Sequence, residues 1–133
     1  MNKFEHLIIE TIVFLILWGF FESITITMII IPIFWGTAFP DFDHQVRSHR
    51  NVIFHSIVPN LAIWLFDMSL TNVLLVLAVG IHLICDLLPA LRKGKSGGYA
   101  CIDLWLFRWG SITSRLWLLM NFIGSVLLFW WMI

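Results

Sequence analysis

Charge is what this chain has least of. Only 12% of its 133 residues are Asp, Glu, Lys or Arg, and 60% are hydrophobic. A soluble domain carries roughly twice that charged fraction. A core of this size cannot hide so much apolar surface, so lipid is expected as the solvent over much of the exterior. Eight basic residues balance eight acidic ones. The electrostatic footprint of a nucleic-acid-binding protein is therefore missing, and no nucleic-acid partner is expected. Cysteine is nearly absent too. Cys85 and Cys101 form no C-x-x-C pair, which argues against a thiolate metal site or a disulfide framework. Cys85 reads as a small apolar helix residue. No small-residue cleavage site follows the first apolar run, so a cleavable leader is not expected, and no repeat stands out.

What is present is long apolar runs. A membrane-crossing helix needs roughly 17–25 predominantly apolar residues, because no backbone polar group can go unpaired in lipid. The stretches 51–67, 70–91 and 112–133 meet that requirement. The run 7–39 is too long for one ordinary span and is interrupted by Gly19, Glu22 and Ser23. It reads as two helices, about 6–21 and 23–38, each short for a full crossing at 1.5 Å per residue, with a re-entrant hairpin as the alternative. The expected fold is all-α: a single-domain polytopic transmembrane helical bundle of about five membrane helices. The segment 101–109, with Asp103 and Arg108 among aromatics, reads as a short interfacial amphipathic helix. Trp18, Trp35, Trp64, Trp105, Trp109, Trp117, Trp130 and Trp131 fall mostly near predicted helix ends, as an aromatic belt would.

Five crossings put Lys3, Arg47, Arg50, Arg92, Lys93, Lys95, Arg108 and Arg115 on one side, which is every Lys and Arg in the chain. Glu22 and Asp67 face the other. The positive-inside rule then orients the basic side, with the N-terminus, toward the cytoplasm of an inner (plasma) membrane.

The five histidines, His6, His44, His49, His55 and His82, all fall in that same cytoplasmic half. His82 and Asp86 are four apart, which on a helix puts both on one face, a turn apart. An isolated pair of this kind is more often a hydrogen-bonded or packing pair. Within a transmembrane helix, however, an ionisable Asp is a functional candidate by default, and a nearby cation would compensate its charge. Asp41, Asp43 and His44 follow the second helix as three potential ligands in four residues, and His49, Arg50 and His55 come next. Taken alone, an acidic loop is usually just solvated. Oxygen and nitrogen donors without thiolate suit zinc first, with manganese or iron as alternatives. More donors than one closed zinc site needs point to one or two divalent ions, or one ion with separate acid–base groups.

The set MNKFEH, FPDFDH, SHRNVIFHS and GIHLICDLLP resembles the YdjM-like family of membrane-bound metal-dependent hydrolases over roughly two thirds of the chain, residues 6–89. Between Arg50 and His55 the chain has one residue more than the family's compact H-R-G-x-T-H-S form and lacks its Gly and Thr. The order His, Asp, His, then His-x-x-x-Asp is also similar, more loosely, to that of zinc-dependent phospholipase C enzymes. The second resemblance implies His6, Asp43, His55, His82 and Asp86 as the leading metal ligands and phosphoester hydrolysis as the reaction; Asp41 reads as a further ligand.

The activity expected is a metal-dependent hydrolase at the cytoplasmic face, acting through metal-activated water on a phosphoester or lipid-linked substrate. His44 or His49 would move protons to the leaving group, and Arg50 would hold an anionic group. Arg47 and Arg50 have an equally good reading as anchors at an anionic membrane surface. Lys93, Lys95, Gly97 and Gly98 read as a solvated connector. Two rivals stand beside the enzyme: a divalent-cation carrier or sensor, and a membrane effector whose metal only joins helices. The one-sided clustering of ionisable residues argues against a carrier path. The sequence leaves oligomeric state open.

Overall fold

Helix boundaries in this chain follow local chemistry. In the computed structural model, which describes residues 3–40, 42, 52–92, 103–104, 107–108 and 111–133, α1 (Lys3–Phe20) ends beside Gly19 and α2 (Ile26–Ala38) begins after a turn. These two helices match the pair expected from the interruption at Gly19, Glu22 and Ser23. α3 (Val58–Phe66) starts with Pro59 in its first turn, the place where a missing N–H and a fixed φ do no harm. Ser69 and Asp67 organise the start of α4 (Leu70–Arg92). The backbone N–H of Asn72 meets Ser69 Oγ at 3.4 Å, and the Asn72 amide donates to Asp67 Oδ2 at 3.0 Å. α5 (Ser111–Met132) closes the chain.

Two expectations are corrected. The apolar run 51–67 is not one helix: residues 52–57 form turns and bends, and helix begins only at Val58. Pro59 explains this: it has no N–H to donate to the His55 carbonyl four residues back, and its ring crowds that carbonyl, so a helix cannot run through from residue 55. The stretch 101–109 is not an interfacial helix throughout. Asp103–Leu104 (β1) pairs antiparallel with Phe107–Arg108 (β2), with Asp103 opposite Arg108. Apart from this small ladder the described architecture is all-α.

α4 lies at the centre. It packs against α5, α2, α3 and α1, and Val73, Leu74, Val76, Ala78, Val79 and Leu83 are wholly shielded. Small residues let its neighbours approach. A Cβ added to Gly36 of α2 would lie 2.7 Å from the Ala78 Cβ, and one on Gly80 would overlap the Ser125 hydroxyl of α5. α4 and α5 contain stretches long and apolar enough to cross a bilayer, Leu70–Leu88 and Ile112–Met132. α1 has 18 residues but carries Lys3, Glu5 and Glu10. α2 and α3 have 13 and 9 residues, or roughly 20 and 14 Å of helix against a hydrocarbon layer of roughly 30 Å.

The bundle exposes much apolar surface and carries a set of polar side chains within its apolar core. His6, Glu10, Asn60, His82, Asp86, Ser114, Asn121 and Ser125 are buried, while Ile8, Ile12, Ile16, Ile31, Phe34, Leu65, Met120 and Leu127 are exposed. On α1 the split follows the helical repeat. His6, Glu10 and Phe14 form the inner stripe, and Ile8, Ile12, Leu15 and Ile16 the outer one.

The close α2–α4 contact gives a paired test. Gly36→Ala must push against Ala78 and the Glu10 carboxylate, and we expect a loss of about 1–3 kcal/mol from overpacking. Gly19→Ala meets nothing within 4 Å. It should be neutral or stabilising by up to about 1 kcal/mol, from helix propensity. Unfolding of the two variants in detergent micelles compares them directly.

Candidate metal centre

α1 and α4 each carry a histidine followed four residues later by a carboxylate: His6 and Glu10, His82 and Asp86. On each helix that spacing puts the pair on one face. The helices meet so that His6 faces Asp86 and Glu10 faces His82, as an antiparallel register requires. His6 Nε2 lies 3.4 Å from Asp86 Oδ1, and His82 Nδ1 lies 3.9 Å from Glu10 Oε1. The two imidazoles stack between the carboxylates, with centroids 4.0 Å apart and planes inclined by 16°.

His55 joins from outside both helices. Its Nε2 is 3.6 Å from Asp86 Oδ2, and His82 Nε2 is 3.8 Å from the same oxygen. All four residues are buried, with whole-residue exposures of 2% for His6, 3% for His55, 1% for His82 and 8% for Asp86. His6, His82 and Asp86 offer ligand atoms that all lie within 4.8 Å of one another, so this buried group can bind a metal ion. The spacing suits that role. Donors roughly 2.0–2.1 Å from a tetrahedral ion sit roughly 3.4 Å apart, whereas an N–H···O bond closes to roughly 2.9 Å. The 3.4, 3.6 and 3.8 Å separations around Asp86 fall nearer the first figure. His6 Nδ1 is buried with no hydrogen-bond partner among the described residues.

Residues 52–57 carry no helix to position His55, so other elements hold them. Trp117 Nε1 of α5 donates to the His55 carbonyl at 3.0 Å. The N–H of Ile57 donates to Asn121 Oδ1 at 2.9 Å, and the Asn121 amide donates back to the Trp117 carbonyl at 2.8 Å. Ser56 Oγ donates to Ile53 O at 2.9 Å and accepts the N–H of Val58 at 3.3 Å. On the α2 side, Phe54 packs on Phe39 with centroids 5.6 Å apart. α2 and α3 are joined in turn by Trp35 Nε1 donating to Asn60 Oδ1 at 2.8 Å.

Of the residues expected from sequence, His6, His55, His82 and Asp86 are therefore brought together. His55 does so from a turn segment rather than from one turn inside a helix. Asp41, Asp43, His44, His49 and Arg50 lie outside the described residues, as do Arg47, Lys93, Lys95, Gly97 and Gly98. Three contributors escaped the sequence reading. Glu10 was hidden in an apolar run, although its four-residue spacing from His6 repeats that of His82 and Asp86. Asn121 looked like one amide in an apolar helix. Trp117, assigned to an aromatic belt, is a hydrogen-bond donor to the segment that carries His55.

Asn121→Leu removes the acceptor of the buried Ile57 N–H. The expected loss is about 1–3 kcal/mol, read by unfolding in micelles. No protein-family model, curated protein or solved structure matches the chain.

Proposed function

We propose that this chain is a multi-pass membrane protein that holds a divalent cation, zinc first, at His6, His55, His82 and Asp86. We propose further that it hydrolyses a phosphoester, on a lipid-linked substrate, at the cytoplasmic face of an inner membrane. The single observation that carries the reading is the meeting of three imidazoles around one buried carboxylate, at ligand spacing, inside a bundle whose outer surface is apolar. A carboxylate placed there needs a compensating charge, which a divalent cation would supply.

The membrane setting is supported by the two long apolar helices and by the exposed aliphatic stripes on the shorter ones. The all-basic side predicted from the sequence supports the orientation. The resemblance to membrane-bound metal-dependent hydrolases supports the reaction class. Nitrogen and carboxylate donors suit zinc, with manganese or iron as alternatives.

When bound, a divalent ion supplies Lewis-acid chemistry, polarising a phosphoryl oxygen and easing the deprotonation of water. The chain's own residues do the rest. Asp86 and the three histidines orient the centre. Asp41 and Asp43 would extend the ligand set toward a second ion. His44 or His49 would deliver a proton to the leaving oxygen, and Arg50 would hold the anionic group in a charge-assisted contact. Their place in the sequence, immediately before the segment that carries His55, favours that division of work.

A second reading has one observation in its favour. Burial of all four candidate ligands suits a closed structural site, in which the cation only clamps α1, α4 and residues 52–57 together.

The test is metal analysis followed by turnover. Wild-type protein purified in detergent should retain about one or two divalent ions, and His82→Ala and Asp86→Asn should lose them. Metal-stripped protein should be inactive on a panel of phosphoester and lipid phosphate substrates, with turnover restored by zinc or manganese. Retained metal without turnover on any substrate would favour the clamp. Wild-type protein that takes up no divalent ion would sink both readings.

A further inference from the structure

Glu10 is fully buried, and hydrolysis as proposed makes no use of it. Its two oxygens face different partners. Oε2 accepts the Thr37 hydroxyl of α2 at 3.2 Å. Oε1 has no hydrogen bond among the described residues and lies 3.9 Å from His82 Nδ1. The other ring nitrogen, His82 Nε2, is the one toward Asp86, at 3.8 Å from Oδ2.

The two imidazole nitrogens point in diverging directions, so one ion cannot take both. The side of His82 that faces Glu10 is therefore not the side that shares a cation with Asp86 and His6. An imidazole that binds a cation through Nε2 carries its proton on Nδ1, and a carboxylate on that side fixes both tautomer and ring plane. Resting on the metal-centre reading, we propose that Glu10 is a positioning residue. It takes the Nδ1–H of His82 and thereby aims the Nε2 lone pair at the cation shared with His6 and Asp86.

α2 is built to hold Glu10 for this task. Thr37 donates to Oε2, and Gly36 leaves space that a side chain would fill, since a Cβ there would come within 2.7 Å of that same oxygen. The chain of contacts runs from Thr37 on α2 through Glu10 on α1 to His82 on α4. A hydrogen bond to His82 requires the 3.9 Å separation to close by roughly 1 Å. Small changes in the Glu10 and His82 side-chain torsions together cover that distance without displacing a helix.

Nitrogen-15 NMR of histidine-labelled protein in micelles, with and without zinc, reads the tautomer directly, and a chelator competition reads zinc affinity. In the wild type His82 should be the Nδ1–H tautomer. In Glu10→Met, which keeps the volume and removes the acceptor, the tautomers should mix and zinc affinity should fall about 10–100-fold. In Glu10→Gln the amide carbonyl accepts the same proton while the amide N–H₂ turns to Thr37. That variant should keep the Nδ1–H form and lose less than about tenfold, against the loss expected for an outer-shell partner. The comparison separates positioning from mere packing, because Met fills the space as well as Gln. Wild-type tautomer and wild-type affinity in Glu10→Met would overturn the positioning role while leaving the metal centre intact. So would equal losses in the Met and Gln variants. A wild type that binds no zinc, but whose His82 tautomer still changes in Glu10→Met, would remove the metal centre and leave the Glu10–His82 contact standing.

Discussion

A carboxylate buried among imidazoles is the constraint around which the described bundle is organised. Asp86 sits on the central helix, and its side chain is 10% exposed. An ionised group cannot stay in apolar surroundings without partners that balance its charge and satisfy its lone pairs. His82 reaches it from one turn back on the same helix, whereas His6 and His55 come from elsewhere in the chain. α1 must lie antiparallel on α4 in the one register that puts residue 6 opposite residue 86 and residue 10 opposite residue 82. Residues 52–57 must leave helical conformation so that His55 can reach in, and α5 must then hold that irregular backbone with Trp117 and Asn121.

The same constraint accounts for the close packing around α4. Polar groups in the centre bring helices together only if the backbones can approach, and here small residues let them: Gly36 with Ala78, and Gly80 with Ser125. When association cannot be driven by hiding apolar surface from water, interhelical hydrogen bonds and close contact between small residues take over. Polar side chains held inside a bundle with an apolar exterior are the arrangement such forces favour. The crossed pairing of two His-x-x-x-carboxylate turns adds economy: one helix face from α1 and one from α4 supply two stacked imidazoles and a carboxylate at either end.

Much of the helical layout was readable in advance, because it depends on local chemistry. The break at Gly19, Glu22 and Ser23 predicted two helices where two are found, and the long apolar runs marked α4 and α5. The failures share a cause. Apolar composition alone made 51–67 look like one helix, and composition alone made 101–109 look like another. Pro59 argued against helix before Val58, but a count of apolar residues does not hear it. Glu10 was lost in the same way, as one acid in an apolar run, although its spacing from His6 was in plain view.

The residue types and their spacing along single helices determined which side chains belong together: His82 with Asp86, and His6 with Glu10, because an α-helix returns to the same face every three to four residues. Composition alone also marked the chain as one whose surface is apolar. Only the tertiary structure decided that these two faces meet, which nitrogen of each imidazole looks at which carboxylate, and that His55 arrives on a turn held by α5. Those outcomes depend on the relative register and rotation of helices distant in sequence, and periodicity within one helix carries no information about them.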